Sequence, residues 1–196
     1  RVVLAAVGQC GRALEFAGAK LRADREVVLA AVEQQGAALQ FASDELKADP
    51  RLVRAAVQSQ GSEHWDWAGL FGGLSATSPS QLSSDRLVLL TAARQDWRAL
   101  EFAADDLLAN IEFMLEAVQI SGLALQFAAD NVRRDRCVVQ KAVEQHGLAL
   151  RFACDELRAD QKIVRCAVRR SGLALGFADS SARANRELVL EAVIQD

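Results

Sequence analysis

The sequence predicts an all-α fold, a right-handed α-solenoid of stacked two-helix repeats with about 15 short helices and no strands. Three observations lead there. An Ala-Val pair returns at a fixed phase: Val7, Val32, Val57, Val118, Val143, Val168 and Val193 each close one, and Ala93 takes the valine place in an eighth copy. Successive copies stand 25 residues apart, except for one step of 36 between Val57 and Ala93. A second signature, Ala-Leu-x-Phe-Ala, recurs at 13–17, 38–42, 99–103, 124–128, 149–153 and 174–178. No stretch alternates apolar and polar residues with the period of two that marks a half-buried strand.

The unit from Asp24 to Ala48 shows why each element forms. Asp24 precedes Val27, Val28, Ala31 and Val32, an apolar stripe at helical spacing. Asp is a preferred N-cap because its carboxylate accepts from the free amides of the first turn. The same phase holds Asp49, Asp85, Asn110, Asp135, Asp160 and Asn185, and Asp49 is followed by Pro50, the residue favoured at the first helical position. Gly11, Gly36, Gly61, Gly122, Gly147 and Gly172 share a later phase, where a left-handed glycine is expected to close the first helix. A second helix should then carry Ala38, Leu39, Ala42 and Leu46 on its inner face, with Phe41 beside them, and the Phe column is expected to be buried between units. Arg22, Lys47, Arg133, Arg158 and Arg183 end that helix, where a cation meets the negative end of the dipole. Helices of this length are marginal alone, so stacking must stabilise them.

The repeated string Asp-Arg-Glu-Val-Val-Leu-Ala-Ala-Val-Glu-Gln-Gln-Gly-Ala-Ala-Leu-Gln-Phe-Ala-Ser-Asp-Glu-Leu-Lys-Ala-Asp, 24–49, resembles the repeat of the DUF4116 family. The resemblance covers nearly the whole chain outside one insertion. It implies a tandem helical array of uncharacterised function, seen in unicellular algae and some intracellular bacteria, and it brings no catalytic residues with it. For an algal source it suggests an accessory subunit of an organelle complex, such as a photosynthetic one.

Residues 1–196 read as a single array with units near 1–23, 24–48, 49–84, 85–109, 110–134, 135–159, 160–184 and a partial 185–196. Neither end carries the polar cap of a finished solenoid, so the chain reads as part of a longer array. The third of these units holds the insertion, 62–84, where the Phe signature gives way to a segment with Trp65, Trp67 and Phe71, compatible with a second helix packed through Trp67, Leu70 and Phe71, and then to Gly72-Gly73 and a Ser/Thr/Pro run read as an exposed loop. Trp97 stands in the glycine phase, where a left-handed backbone would strain it. All three tryptophans thus cluster around the insertion. Trp65, Trp67, Phe71 and Trp97 are candidate partner-binding residues because Trp is enriched at interface hot spots; the competing reading has them plugging an irregular joint.

A polar column is the other candidate surface. Gln34, Gln95 and Gln145 share the phase two residues after the Ala-Val valine, as do Gln9, Ser59, Arg170 and Gln195, with Ile120 interrupting. Such columns line one face of a solenoid, where an extended partner can lie. Chemistry is sparse by comparison. His64 and His146 lie far apart and away from metal-ligand spacing, and Gly69 to Gly73 matches no phosphate-binding motif. Neither a catalytic residue, a cofactor nor a metal is expected.

Net charge is −3, with acids and bases mixed along the chain, a balance that does not favour a nucleic-acid backbone as the main partner. The apolar runs are far short of the roughly 20 residues of a spanning helix. Cys10, Cys137, Cys154 and Cys166 lack C-x-x-C spacing and read as reduced, mostly buried thiols, which favours a reducing compartment such as cytoplasm or organelle stroma. The expected function is a non-catalytic scaffold binding other protein subunits, any membrane association coming through them. A nucleic-acid-binding repeat array is the second reading.

Overall fold

The fold follows from how 25 residues satisfy both their apolar side chains and their backbone. A computed structural model describes residues 2–59 and 84–195, in which twenty helical segments and no strand occur. The chain forms two compact units, residues 1–92 and 93–196.

Each repeat begins as predicted. The long helices Arg25–Gln34, Pro50–Gln58, Ile111–Ile120, Arg136–Gln145 and Gln161–Arg170 all start after an Asp or Asn N-cap. Asp160 Oδ1, for example, accepts from the backbone N–H of Lys162 at 2.9 Å and of Ile163 at 3.1 Å. Asp85 and Asn185 accept in the same way from Leu87 and Glu187. The inner stripe is dry: Val28, Ala31, Val32, Val139, Ala142, Val143, Val164, Ala167 and Val168 are all fully buried.

The second half of the repeat differs from the expected single helix. It is two pieces, a six-residue 3-10 helix such as Gly147–Phe152 and a one-turn α-helix such as Asp155–Arg158, separated by extended backbone at Ala153 and Cys154. This split raises the helix count from the predicted 15 to twenty among the described residues. The break frees an amide that a continuous helix would consume, and that amide joins neighbouring repeats. In the first unit Ser43 N–H donates to Arg22 O at 2.9 Å. In the second, Ala129 donates to Leu108 at 3.0 Å, Cys154 to Arg133 at 3.2 Å and Asp179 to Arg158 at 3.0 Å.

The 3-10 geometry also decides which residues are core. With three residues per turn, positions i, i+3 and i+6 eclipse. Gly147, Leu150 and Ala153 therefore share the buried face, as do Gly122, Leu125 and Ala128. Phe lies two positions after the Leu, about 240° round the axis, on the side of the fully buried Ala149 and Ala124 but at the last position of its 3-10 helix. Phe41, Phe102, Phe127, Phe152 and Phe177 are half-buried and Phe16 is exposed. The expectation of a buried Phe column is corrected to a buried Leu column flanked by Phe.

Nor do the glycines close helices in a left-handed conformation. Gly11, Gly122 and Gly147 open their 3-10 helices without positive φ; their need is space. A β-carbon on Gly147 would stand 2.5 Å from the carbonyl oxygen of Ala167 in the next long helix, and Gly11 and Gly122 approach Ala31 and Ala142 in the same way. Like elements stack on like within each unit: Val2–Gln9, Arg25–Gln34 and Pro50–Gln58 in the first, and Ile111–Ile120, Arg136–Gln145, Gln161–Arg170 and Arg186–Gln195 in the second.

Candidate functional site

Because the inner face of each long helix is spent on packing, functional side chains have only the outer face available. Among the described residues no polar or charged residue is buried, and no group of His, Cys, Asp and Glu is arranged to hold a metal. No described helix is long and apolar enough to cross a membrane.

The predicted column residues end their long helices and are exposed: Gln34 in the first unit, Gln95 and Gln145 in the second. Trp65, Trp67, Phe71 and the insertion 62–84 lie outside the described residues, save for the turn at its end. Trp97 is half-buried and opens the 3-10 helix Trp97–Phe102. Since this phase is not left-handed in its neighbours, its bulk brings no backbone strain. The indole meets the ring of Phe127, with centroids 5.8 Å apart and planes at 41°.

A groove of about 620 Å³ lies on the outer face of the second unit, along helices Arg136–Gln145 and Gln161–Arg170. Lys162, Arg165, Arg169 and Arg170 line one side and Glu144 the other. Positions 162, 165 and 169 fall on one helical face, opposite the buried Ile163, Val164, Ala167 and Val168. The next repeat orients the guanidinium groups. Arg165 Nη2 donates to Glu187 Oε2 at 3.2 Å and its Nε lies 3.0 Å from Glu191 Oε1, the latter an ion pair too bent for a hydrogen bond. Arg169 Nε donates to Glu191 Oε2 at 3.4 Å.

Cys166 lines the same groove. Burial pushes its thiol up and Glu144 adds to this, against the opposing pull of Arg170 and Arg169, so the group stays protonated near neutrality. None of the four free cysteines is buried, against the expectation of mostly buried thiols: Cys10 and Cys137 are exposed, Cys154 and Cys166 half-buried. The one-residue offsets of Cys137 and Cys166 from the buried stripe leave their thiols off the core face. The groove residues were legible in one respect, since Gln161–Arg170 carries four cations and no acid, whereas no other described long helix has more than two cations.

Two overlapping segments, 1–47 and 24–63, and a third, 110–158, match the model of the family described as a domain of unknown function, DUF4116. No curated protein and no solved structure matches the chain. The matched segments cover more than half of its length and repeat the capped-helix and Gly-x-Ala-Leu-x-Phe register seen in both units, and the chain therefore belongs to the DUF4116 family.

Proposed function

We propose that this protein is a non-catalytic helical-repeat scaffold that mediates protein–protein interaction as a structural or accessory subunit of a larger complex. The observation that carries the reading is the division of labour within the repeat. The buried positions stay apolar from unit to unit, as at Val27, Leu52, Val88, Phe113, Val138, Ile163 and Leu188, while the outer positions change chemistry: Glu26, Arg51, Leu87, Glu112, Cys137, Lys162 and Glu187 occupy a single phase. An apolar core with a chemically variable outer face suits a surface read by a macromolecular partner. Among the described residues no polar or charged residue is buried as a whole, so none forms the desolvated titratable cluster that catalysis uses.

Affinity isolation of the full-length protein from its source, with and without nuclease, tests this. A protein partner is expected in stoichiometric amount, insensitive to nuclease, and lost when outer-face residues are charge-reversed with helicity intact. Nuclease-released nucleic acid as the sole co-purifying species would transfer the function to the nucleic-acid reading, and turnover of a small molecule by the purified chain would remove the non-catalytic one.

A further inference from the structure

The outer face of helix Gln161–Arg170, which carries four cations and no acid, lines the groove described above. Lys162, Arg165 and Arg169 follow one another down the helix over roughly 10 Å, at 1.5 Å per residue. Glu187 and Glu191 pair with Arg165 and Arg169 in solvent-accessible ion pairs, and pairs of that kind are weak enough for a competing carboxylate to exchange with them. Arg169 engages Glu191 through Nε alone, and its side chain is 70% exposed, which leaves the remaining guanidinium N–H groups aimed at solvent. What the two glutamates supply is orientation: both guanidiniums are held over the groove before a ligand arrives, which lowers the ordering cost of binding.

We propose that this groove receives an acidic helical segment of a partner protein, its carboxylates pairing with Lys162, Arg169 and Arg170. The inference rests on the scaffold reading and names the chemistry of one partner. On a helix with a carboxylate at every fourth position, residues eight apart are separated by about 12 Å at 1.5 Å per residue, within reach of the flexible Lys162 and Arg169 side chains, whose positions stand about 10 Å apart along Gln161–Arg170. The flanking charges favour a short acidic segment over a nucleic acid. A single strand carries one phosphate per about 3.4 Å, and a strand crossing the stack would run from the cations onto Glu144 on one side and Glu187 and Glu191 on the other. A helix lying along the groove avoids them.

The test is a fluorescence-anisotropy titration with a labelled alanine-rich peptide of about 16 residues, long enough to populate helix, with glutamate at every fourth position. The wild-type chain is expected to bind it at low salt, and the Arg169→Glu, Arg170→Glu double variant to bind at least about tenfold more weakly. The control is Arg51→Glu, Arg54→Glu, which reverses a cation pair on helix Pro50–Gln58 and should leave the affinity within about twofold; circular dichroism checks the folding of both. No wild-type binding, or equal loss in the control, overturns the proposal. So does an oligo-dT of equal charge that binds more tightly with the same sensitivity to R169E and R170E. Recovery of the natural protein partner in full by the R169E, R170E full-length chain would overturn the groove while leaving the scaffold in place. Absence of any protein partner for the wild type would remove the scaffold reading instead.

Discussion

Gly147 lies against the carbonyl oxygen of Ala167, one repeat further on, with no room for a side chain: a β-carbon would stand 2.5 Å from that oxygen, 3.1 Å from Arg170 Cβ and 3.2 Å from Ser171 N. Two of these three neighbours are backbone, so a flexible side chain cannot simply move aside. The glycine phase of the repeat records this approach of a 3-10 helix to the end of the next long helix.

Gly147→Ala should therefore lose about 1–3 kcal/mol of stability, the range for overpacking a rigid site. Gly176→Ala provides the contrast, because nothing lies within 4 Å of a β-carbon there. That variant is expected to be neutral or to gain up to about 1 kcal/mol from the stiffer unfolded chain. Urea midpoints of the two variants check this, and equal midpoints would show that the glycine is not required for space.

Leu150→Ala should cost about 2–5 kcal/mol, since Leu150 is fully buried. Phe152→Ala should cost less, about 1–2 kcal/mol, because the ring is half-buried and partly covered by the Arg151 guanidinium 5.0 Å from its centroid. Denaturation of the pair decides which column holds the repeats together; a larger loss for the Phe variant would restore the Phe column to the core.

Arg136 joins its repeat to the next through Asp160, Nη1 to Oδ2 at 2.7 Å, and Arg25 reaches Asp49 at 2.8 Å in the same way in the first unit. Burial raises the pKa of Asp160, but the Arg136 hydrogen bond and the N–H groups of Ile163 and Lys162 outweigh it and hold the carboxyl below the ordinary aspartate range. A folded pKa below the unfolded one gives stability that is fully present above about pH 4 and lost as pH falls through the folded value. Asp160→Asn keeps a capping oxygen, as Asn110 shows at 3.0 Å from Phe113 N, and should cost under about 1 kcal/mol at neutral pH. Stability measured from pH 7 to pH 2 should fall less steeply in this variant than in the wild type.

Thiol labelling should proceed in two phases. Cys10 and Cys137 are exposed, whereas Cys154 and Cys166 are half-buried with thiols pushed up, first by burial and then by the carboxylates of Glu156 and Glu144 respectively. A thiol-disulfide reagent at pH 8 should modify the exposed pair first, since the thiolate is the reactive form. Mapping the labelled peptides over time checks the order.

The sequence by itself determined the repeat, its register and its caps. Asp24, Asp49, Asp85, Asn110, Asp135, Asp160 and Asn185 are legible because capping is local, a side chain accepting from amides two or three residues away. The stripe of Val and Ala behind each cap is legible for the same reason, as helical spacing alone sets its face. Tertiary structure decided the second half of the repeat. Nothing local in Gly-Leu-Ala-Leu-Arg-Phe-Ala distinguishes a continuous α-helix from a 3-10 helix and a break; the choice goes to the form that frees the Cys154 amide for Arg133 O in the neighbouring repeat and lets Gly147 close on Ala167. Leu150 keeps the inner position that the sequence reading gives its equivalent Leu39, whereas Phe152, at the break, is left half-buried. The candidate groove divides in the same way. Its four cations on Gln161–Arg170 stand in the sequence, but the orientation of Arg165 and Arg169 comes from Glu187 and Glu191, more than 20 residues away, which only the stacking of repeats brings beside them.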